Sequence, residues 1–195
     1  PPDQPLPEPT YSENELEPAW RLASLLPHAG VSDAMRDWLL DAGSLTRRVV
    51  KNCAQSFSVQ VQNQSWGTPL ATEREALEMA SDASAWIREV ELHCGTIPWV
   101  FARTLIPASS LEGDTRRLAD LGNRPLGEVL FSDPKARRGR VEVAKLLPHH
   151  ALFRVASAHL DAVPELLWAR RTLYYMEERP LLVNEIFLPD LPQLI

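Results

Sequence analysis

Apolar and polar side chains alternate along two stretches of the chain, and each alternation carries one charged residue on its apolar face. In the 85–94 segment Trp86, Arg88, Val90 and Leu92 share a face, because successive strand side chains point to opposite sides. In the 181–188 segment the same count sets Glu185 among Leu181, Val183 and Phe187. Both patterns predict strands, and both predict a charge turned inward. A lone buried charge costs several kcal/mol, so each needs a partner, a changed protonation state or a ligand. An anion for Arg88 and a hydroxyl for Glu185 describe a small ring with polar ends. The same spacing also fits a plain Arg88–Glu185 pair inside the sheet, or a strand twist that turns either charge to solvent.

The remaining pattern predicts helices first and strands afterwards. Leu16, Trp20, Leu22 and Leu26 are spaced as a helical stripe over residues 15–26. Ser32 offers an N-cap to a helix over 33–42 that stops at Gly43, and Ser44 caps a second over 45–52. Phe57, Val59 and Val61 alternate with Ser58, Gln60 and Gln62 as a strand with one wet face. Thr72 to Glu75 reads as a capping box before a short helix. Gly95-Thr96 turns the Arg88 strand into a second one over 99–106, a hairpin. Ser109 or Ser110 caps a helix over 111–121, ended by Gly122-Asn123. Extended segments follow at 140–147, 152–160 and 167–176, and Glu178-Arg179-Pro180 leads into the Glu185 strand. With no repeating βαβ unit, the expected class is α+β: a single antiparallel β-sheet with helices packed to one side. Residues 1–12, rich in proline, predict a flexible tail, and 13–195 a single domain.

Composition narrows the chemistry. A chain of 195 residues, 45% hydrophobic and 24% charged, is long enough for one substantial core. A net charge of -6 argues against nucleic acid or an anionic membrane as the main partner. Arg137, Arg138 and Arg140 read as a solvated loop. Cys53 and Cys94 stand alone without zinc spacing and suit a reducing cytoplasm, with one disulfide as the alternative. No secretory signal opens the sequence and no apolar run reaches the roughly 18 residues of a membrane helix, so a cytoplasmic protein without stable membrane insertion is expected. There is no G-x-G-x-x-G, Walker loop, G-x-S-x-G or H-E-x-x-H. His149 and His150 are adjacent, and His28, His93 and His159 are scattered, so no metal site is expected. Acid–base work falls to carboxylates.

Local sequences add more. Trp86-Ile87-Arg88-Glu89 followed by Pro98-Trp99-Val100-Phe101-Ala102-Arg103-Thr104-Leu105-Ile106-Pro107 resembles the chorismate lyase family. So do Leu121-Gly122-Asn123-Arg124-Pro125-Leu126-Gly127-Glu128-Val129-Leu130-Phe131 and the closing Pro180-Leu181-Leu182-Val183-Asn184-Glu185-Ile186-Phe187-Leu188-Pro189. Asp37-Trp38-Leu39-Leu40 with Ser44-Leu45-Thr46-Arg47-Arg48 matches a further segment, so the resemblance runs from about 34 to 190.

The resemblance implies a monomer whose sheet and flaps enclose an internal ligand site. It implies conversion of chorismate to 4-hydroxybenzoate and pyruvate, the first committed step toward ubiquinone, with no cofactor. Carried over by motif, the site comprises Arg88 and Glu185 as catalytic and binding groups, with Leu45 and Leu126 binding substrate and product. The resemblance implies that this position also takes Met, whereas here it is Leu45, a swap that a backbone N–H contact tolerates. Residues 133–168 look longer than in familiar members, which bears on a flap. Arg103, Arg170 and Arg171 are candidates for the pyruvyl carboxylate, against a default of solvated side chains. By alternation, Arg170 shares a face with Trp168 and Tyr174, and Arg171 shares one with Ala169 and Leu173.

Two other functions stay open. One is a non-catalytic domain binding a small carboxylate, of the effector type in a class of bacterial transcription regulators that resemble the lyase fold. Such a regulator normally carries an N-terminal helix-turn-helix, and the stretch before the matching region is short and Pro-rich. The other is a lyase making a different hydroxybenzoate.

Overall fold

The structure, a computed structural model, describes residues 16–192. Seven antiparallel strands form one sheet: β1 (Arg21–Leu22), β2 (Phe57–Gly67), β3 (Ala85–Cys94), β4 (Ile97–Pro107), β5 (Ala136–Leu146), β6 (Leu167–Met176) and β7 (Arg179–Phe187). Their order is β1-β5-β6-β7-β4-β3-β2. Two meanders, β2-β3-β4 and β5-β6-β7, are thus joined where β7 pairs with β4. Gly95 makes the β3–β4 turn possible, since its φ is +61° and a Cβ there would lie 2.0 Å from Gln55 Oε1.

The helices are α1 (Asp33–Leu40), α2 (Leu45–Asn52), α3 (Ala71–Ala76), α4 (Leu126–Ser132) and α5 (Ala151–Ala156). The expected arrangement is present: α1, α2 and α4 pack on one face. Met35, Trp38, Leu39 and Val49 meet Val90, Leu92, Val100 and Phe187, while Leu126, Val129 and Leu130 meet Ile106, Leu181 and Val183. The short α3 and α5 cover parts of the opposite face, so β3 is buried along almost its whole length on both sides. Alternation in β3 therefore separates two interiors rather than inside from outside.

Both serine caps are as read, Ser32 Oγ accepting from Met35 N–H at 3.2 Å and Ser44 Oγ from Arg47 N–H at 3.4 Å. Several boundaries differ. The described part of 15–26 is not a helix but β1 and a 3-10 turn at Ala23–Leu25, because Pro18 and Pro27 bracket a run too short to nucleate and β5 offers an edge. Residues 152–160, expected to be extended, form α5 instead. Leu152, Phe153 and Ala156 lie on one helical face against Phe101 and Ile186. The helix expected over 111–121 is a 3-10 segment, Gly113–Asp120. The capping box shifts two residues: Glu73 accepts from Leu70 N–H at 2.8 Å, while the Glu17 carboxylate takes the N–H groups of Ala71 and Thr72 at 2.7 and 2.9 Å. The proposed tail lies outside the described residues. Within 133–168, α5 sits on the face away from α2 and α4. Among the described residues no helix is long and apolar enough to cross a membrane.

Cys53 and Cys94 are joined as a disulfide with their Cα atoms 5.5 Å apart, which corrects the reading of two free thiols. The partners stand 41 residues apart, and the β2–β3 pairing, which sets Phe57 opposite Cys94, brings the end of α2 to the end of β3. Closing a loop of that size constrains the unfolded chain by roughly 4 kcal/mol in the chain-entropy view. Urea unfolding of the oxidised protein and of a Cys53→Ser, Cys94→Ser variant is expected to differ by about that amount. Equal midpoints would show that the cross-link does not hold the fold.

Candidate active site

One cavity lies on the sheet face beneath α2 and α4, and it straddles the β4–β7 seam. Its floor is made of short side chains, Val90, Ala102, Thr104 and Val183, from three neighbouring strands. Longer polar groups stand around them: Arg88 from β3, Glu185 from β7 and Tyr174 from β6. The roof comes from Leu45 and Thr46 at the start of α2 and from Pro125, Leu126, Gly127, Leu130 and Phe131. About 50 Å³ is open to water centres. One water needs roughly 10 to 15 Å³ on that measure, so the space suits a small ring and not a nucleotide.

The two helix starts converge on the roof. Ncap Pro125 gives α4 no side-chain cap, so the N–H groups of Leu126 and Gly127 lack that partner. A Cβ on residue 127 would lie 2.9 Å from Thr46 Oγ1, so the approach depends on glycine at that position.

Arg88 is buried at 3% exposure, and burial lowers its pKa. Its Nη2 donates to the carbonyls of Gly122 at 2.8 Å and Arg124 at 3.1 Å, while its Nε has no hydrogen-bond partner. No carboxylate of the described residues pairs with it. A buried guanidinium without a counter-ion beside an open cavity is an anion site by its own energetics.

Glu185 is not Arg88's partner. Register places it two strands and two residues away, roughly 12 Å between Cα atoms from sheet spacings. Its Oε2 instead accepts from Arg170 Nε at 2.6 Å. Arg170 is 1% exposed, and its Nη1 donates to the carbonyls of Trp38 at 3.2 Å and Asp41 at 2.8 Å. Burial opposes the charge on Arg170, but Glu185 outweighs it and holds the guanidinium above its ordinary range.

The default of solvated arginines is corrected for all three candidates. Arg103 lies on the opposite face, 3.0 Å from Glu73 and 2.5 Å from Glu89. Arg171 is also on that face, 2.7 Å from Glu142. Of the three only Arg170 lies on the cavity's face of the sheet, behind Glu185 rather than in the lining. The structure thus brings Leu45, Arg88, Leu126 and Glu185 around one space, and adds Thr46, Phe131 and Tyr174, which the sequence reading passed over. Tyr174 was within reach, since the count that put Arg170 on this face put Tyr174 there too. Helix α4 was signalled by Pro125 before the i, i+3, i+4 run Leu126, Val129, Leu130.

Comparison with known proteins follows the same lines. The family profile described as "Chorismate lyase" matches residues 19–194. A probable chorismate pyruvate-lyase of Methylococcus capsulatus is 43% identical over 155 residues, 80% of this chain and 94% of its own length. One of Nitrosospira multiformis is 38% identical over 166 residues, 85% of this chain and 92% of its own. Among solved structures, the effector domain of PhnF from Mycobacterium smegmatis superposes with TM-score 0.55 at 17% identity, covering 77% of this chain and 91% of that domain. That likeness concerns the fold alone.

Proposed function

Because the chain belongs to the chorismate lyase family, we propose that it converts chorismate to 4-hydroxybenzoate and pyruvate, the first committed step of ubiquinone biosynthesis. The observation that carries this reading is Arg88, a buried cation lacking a counter-ion, set across a ring-sized cavity from Glu185, whose charge Arg170 already balances. Arg88 takes the ring carboxylate, with the N–H groups of Leu45 and Leu126 completing its hydrogen bonds. Glu185 accepts from the ring hydroxyl. Held at both ends, the ring sheds its enolpyruvyl ether and one hydrogen to become aromatic. No net oxidation occurs, so the elimination requires no redox cofactor. The protein orients the ring, excludes water and stabilises charge developing on the departing arm. In this reading it acts as a cytoplasmic monomer.

A fold shared with an effector domain does not fix function, so a second reading, binding without turnover, is tested beside the first. Incubation with chorismate, with pyruvate measured and the aromatic product identified, separates the possibilities. Pyruvate with 4-hydroxybenzoate is expected. Tight binding without pyruvate would favour the effector reading, and another isomer would favour a lyase of different regiochemistry.

A further inference from the structure

The groups assigned above hold the ring carboxylate and ring hydroxyl, and leave the second carboxylate, on the enolpyruvyl arm, without a partner. The inference drawn here rests on the lyase reading of the site. Arg170 lies on the same sheet face, but it does not line the cavity and its Nε and Nη1 are already committed to Glu185, Trp38 and Asp41. Beside it on the same strand face stand Thr172 and Tyr174, and across the β5–β6 ladder Arg138 pairs in register with Tyr174. Among the described residues Arg138 Nε is buried without a hydrogen-bond partner, while the buried Thr172 hydroxyl is close enough to act on the Tyr174 phenol. Arg138 is fixed by its outer nitrogens, Nη1 donating to Ala42 at 2.7 Å and Nη2 to Asp41 at 3.3 Å. Tyr174 stands beside both, 8% exposed, and lines the cavity. An unsatisfied buried polar group costs roughly 1–3 kcal/mol, and one on a guanidinium beside a cavity-lining phenol marks a place completed by a ligand.

The electrostatic setting fits a donor. Burial and the nearby Glu185 charge push the Tyr174 phenol up to about 12, against the opposing pull of Arg138 and Arg170. The hydroxyl therefore keeps its proton at neutral pH and gives it to whichever acceptor enters. A carboxylate is the acceptor best matched to a phenol backed by a guanidinium.

We propose that Tyr174, backed by Arg138, is a further substrate-binding residue that donates a hydrogen bond to the enolpyruvyl carboxylate. That carboxylate is absent from 4-hydroxybenzoate, so substrate and product should respond differently to loss of the hydroxyl. The test is steady-state turnover of chorismate and calorimetric titration of 4-hydroxybenzoate, on the wild-type protein and on Tyr174→Phe, which keeps the ring and its packing. A hydrogen bond to a charged group is worth about 10- to 100-fold, so kcat/KM should fall by that factor while the Kd for 4-hydroxybenzoate stays within about twofold. Unchanged turnover in the variant overturns this assignment and leaves the lyase reading standing. An equal loss of product affinity also overturns it, placing Tyr174 at the ring instead. A wild type that binds 4-hydroxybenzoate but releases no pyruvate removes the lyase reading and this assignment together.

Discussion

Replacing Arg88 by methionine is expected to destroy ligand binding while leaving the protein as stable as before, or more so. The guanidinium is buried and, among the described residues, has no counter-ion and leaves Nε without a partner. In the ligand-free state its desolvation weighs against the fold, a cost that an apolar side chain of similar volume does not carry. Against this stand its two bonds to the carbonyls of Gly122 and Arg124, each worth about 1.5–3 kcal/mol to a charged donor. The opposing effects nearly cancel, so the unfolding free energy should move by no more than about 1 kcal/mol. Affinity for 4-hydroxybenzoate and kcat/KM for chorismate should each fall at least 100-fold, because a charge-assisted contact disappears from a dry site. Urea unfolding and calorimetry on one preparation measure both effects. A large loss of stability with little loss of affinity would make Arg88 a structural residue.

The second large effect separates Glu185's two neighbours. Arg170→Met leaves the Glu185 carboxylate buried without its cation and strips the carbonyls of Trp38 and Asp41 of a donor, so a destabilisation of about 3–5 kcal/mol is expected. Glu185→Gln retains a side-chain oxygen for Arg170 and should cost less, yet impair turnover. A double-mutant cycle between residues 170 and 185 is expected to show strong coupling in unfolding experiments, and one between 88 and 185 almost none without ligand. Strong 88–185 coupling in the empty protein would mean that the two charges serve each other and not a ring.

Period-two alternation found Arg88 and Glu185 because a charge on an otherwise apolar strand face is conspicuous in one dimension. The Ser32 and Ser44 caps and the Gly95 turn were legible for a related reason, each depending on residues within four positions of one another. The partnerships that give those charges meaning were not legible. Arg103 meets Glu73 thirty positions away through the docking of α3 on the sheet, and Arg171 meets Glu142 twenty-nine away through the β5–β6 pairing, neither of which a local pattern encodes. The same holds for Cys53 and Cys94. The error over 152–160 has another origin: Leu152, Ala156, Ala158 and Leu160 also alternate as a strand would, while the i, i+1, i+4 spacing of Leu152, Phe153 and Ala156 forms a helical face that packs against Phe101 and Ile186.

The roof over the cavity is fastened differently at its two sides. Helix α2 is bonded covalently to the end of β3 through Cys53, whereas the segment entering α4 is held to the same strand by Arg88 through the carbonyls of Gly122 and Arg124. Spontaneous opening should therefore be lopsided. Amide hydrogens over residues 113–132 should exchange faster than those of α2, and should slow when an anion adds a second grip on the guanidinium. The cavity's breathing would then be a property of one hinge side, with the other serving as its fixed jamb.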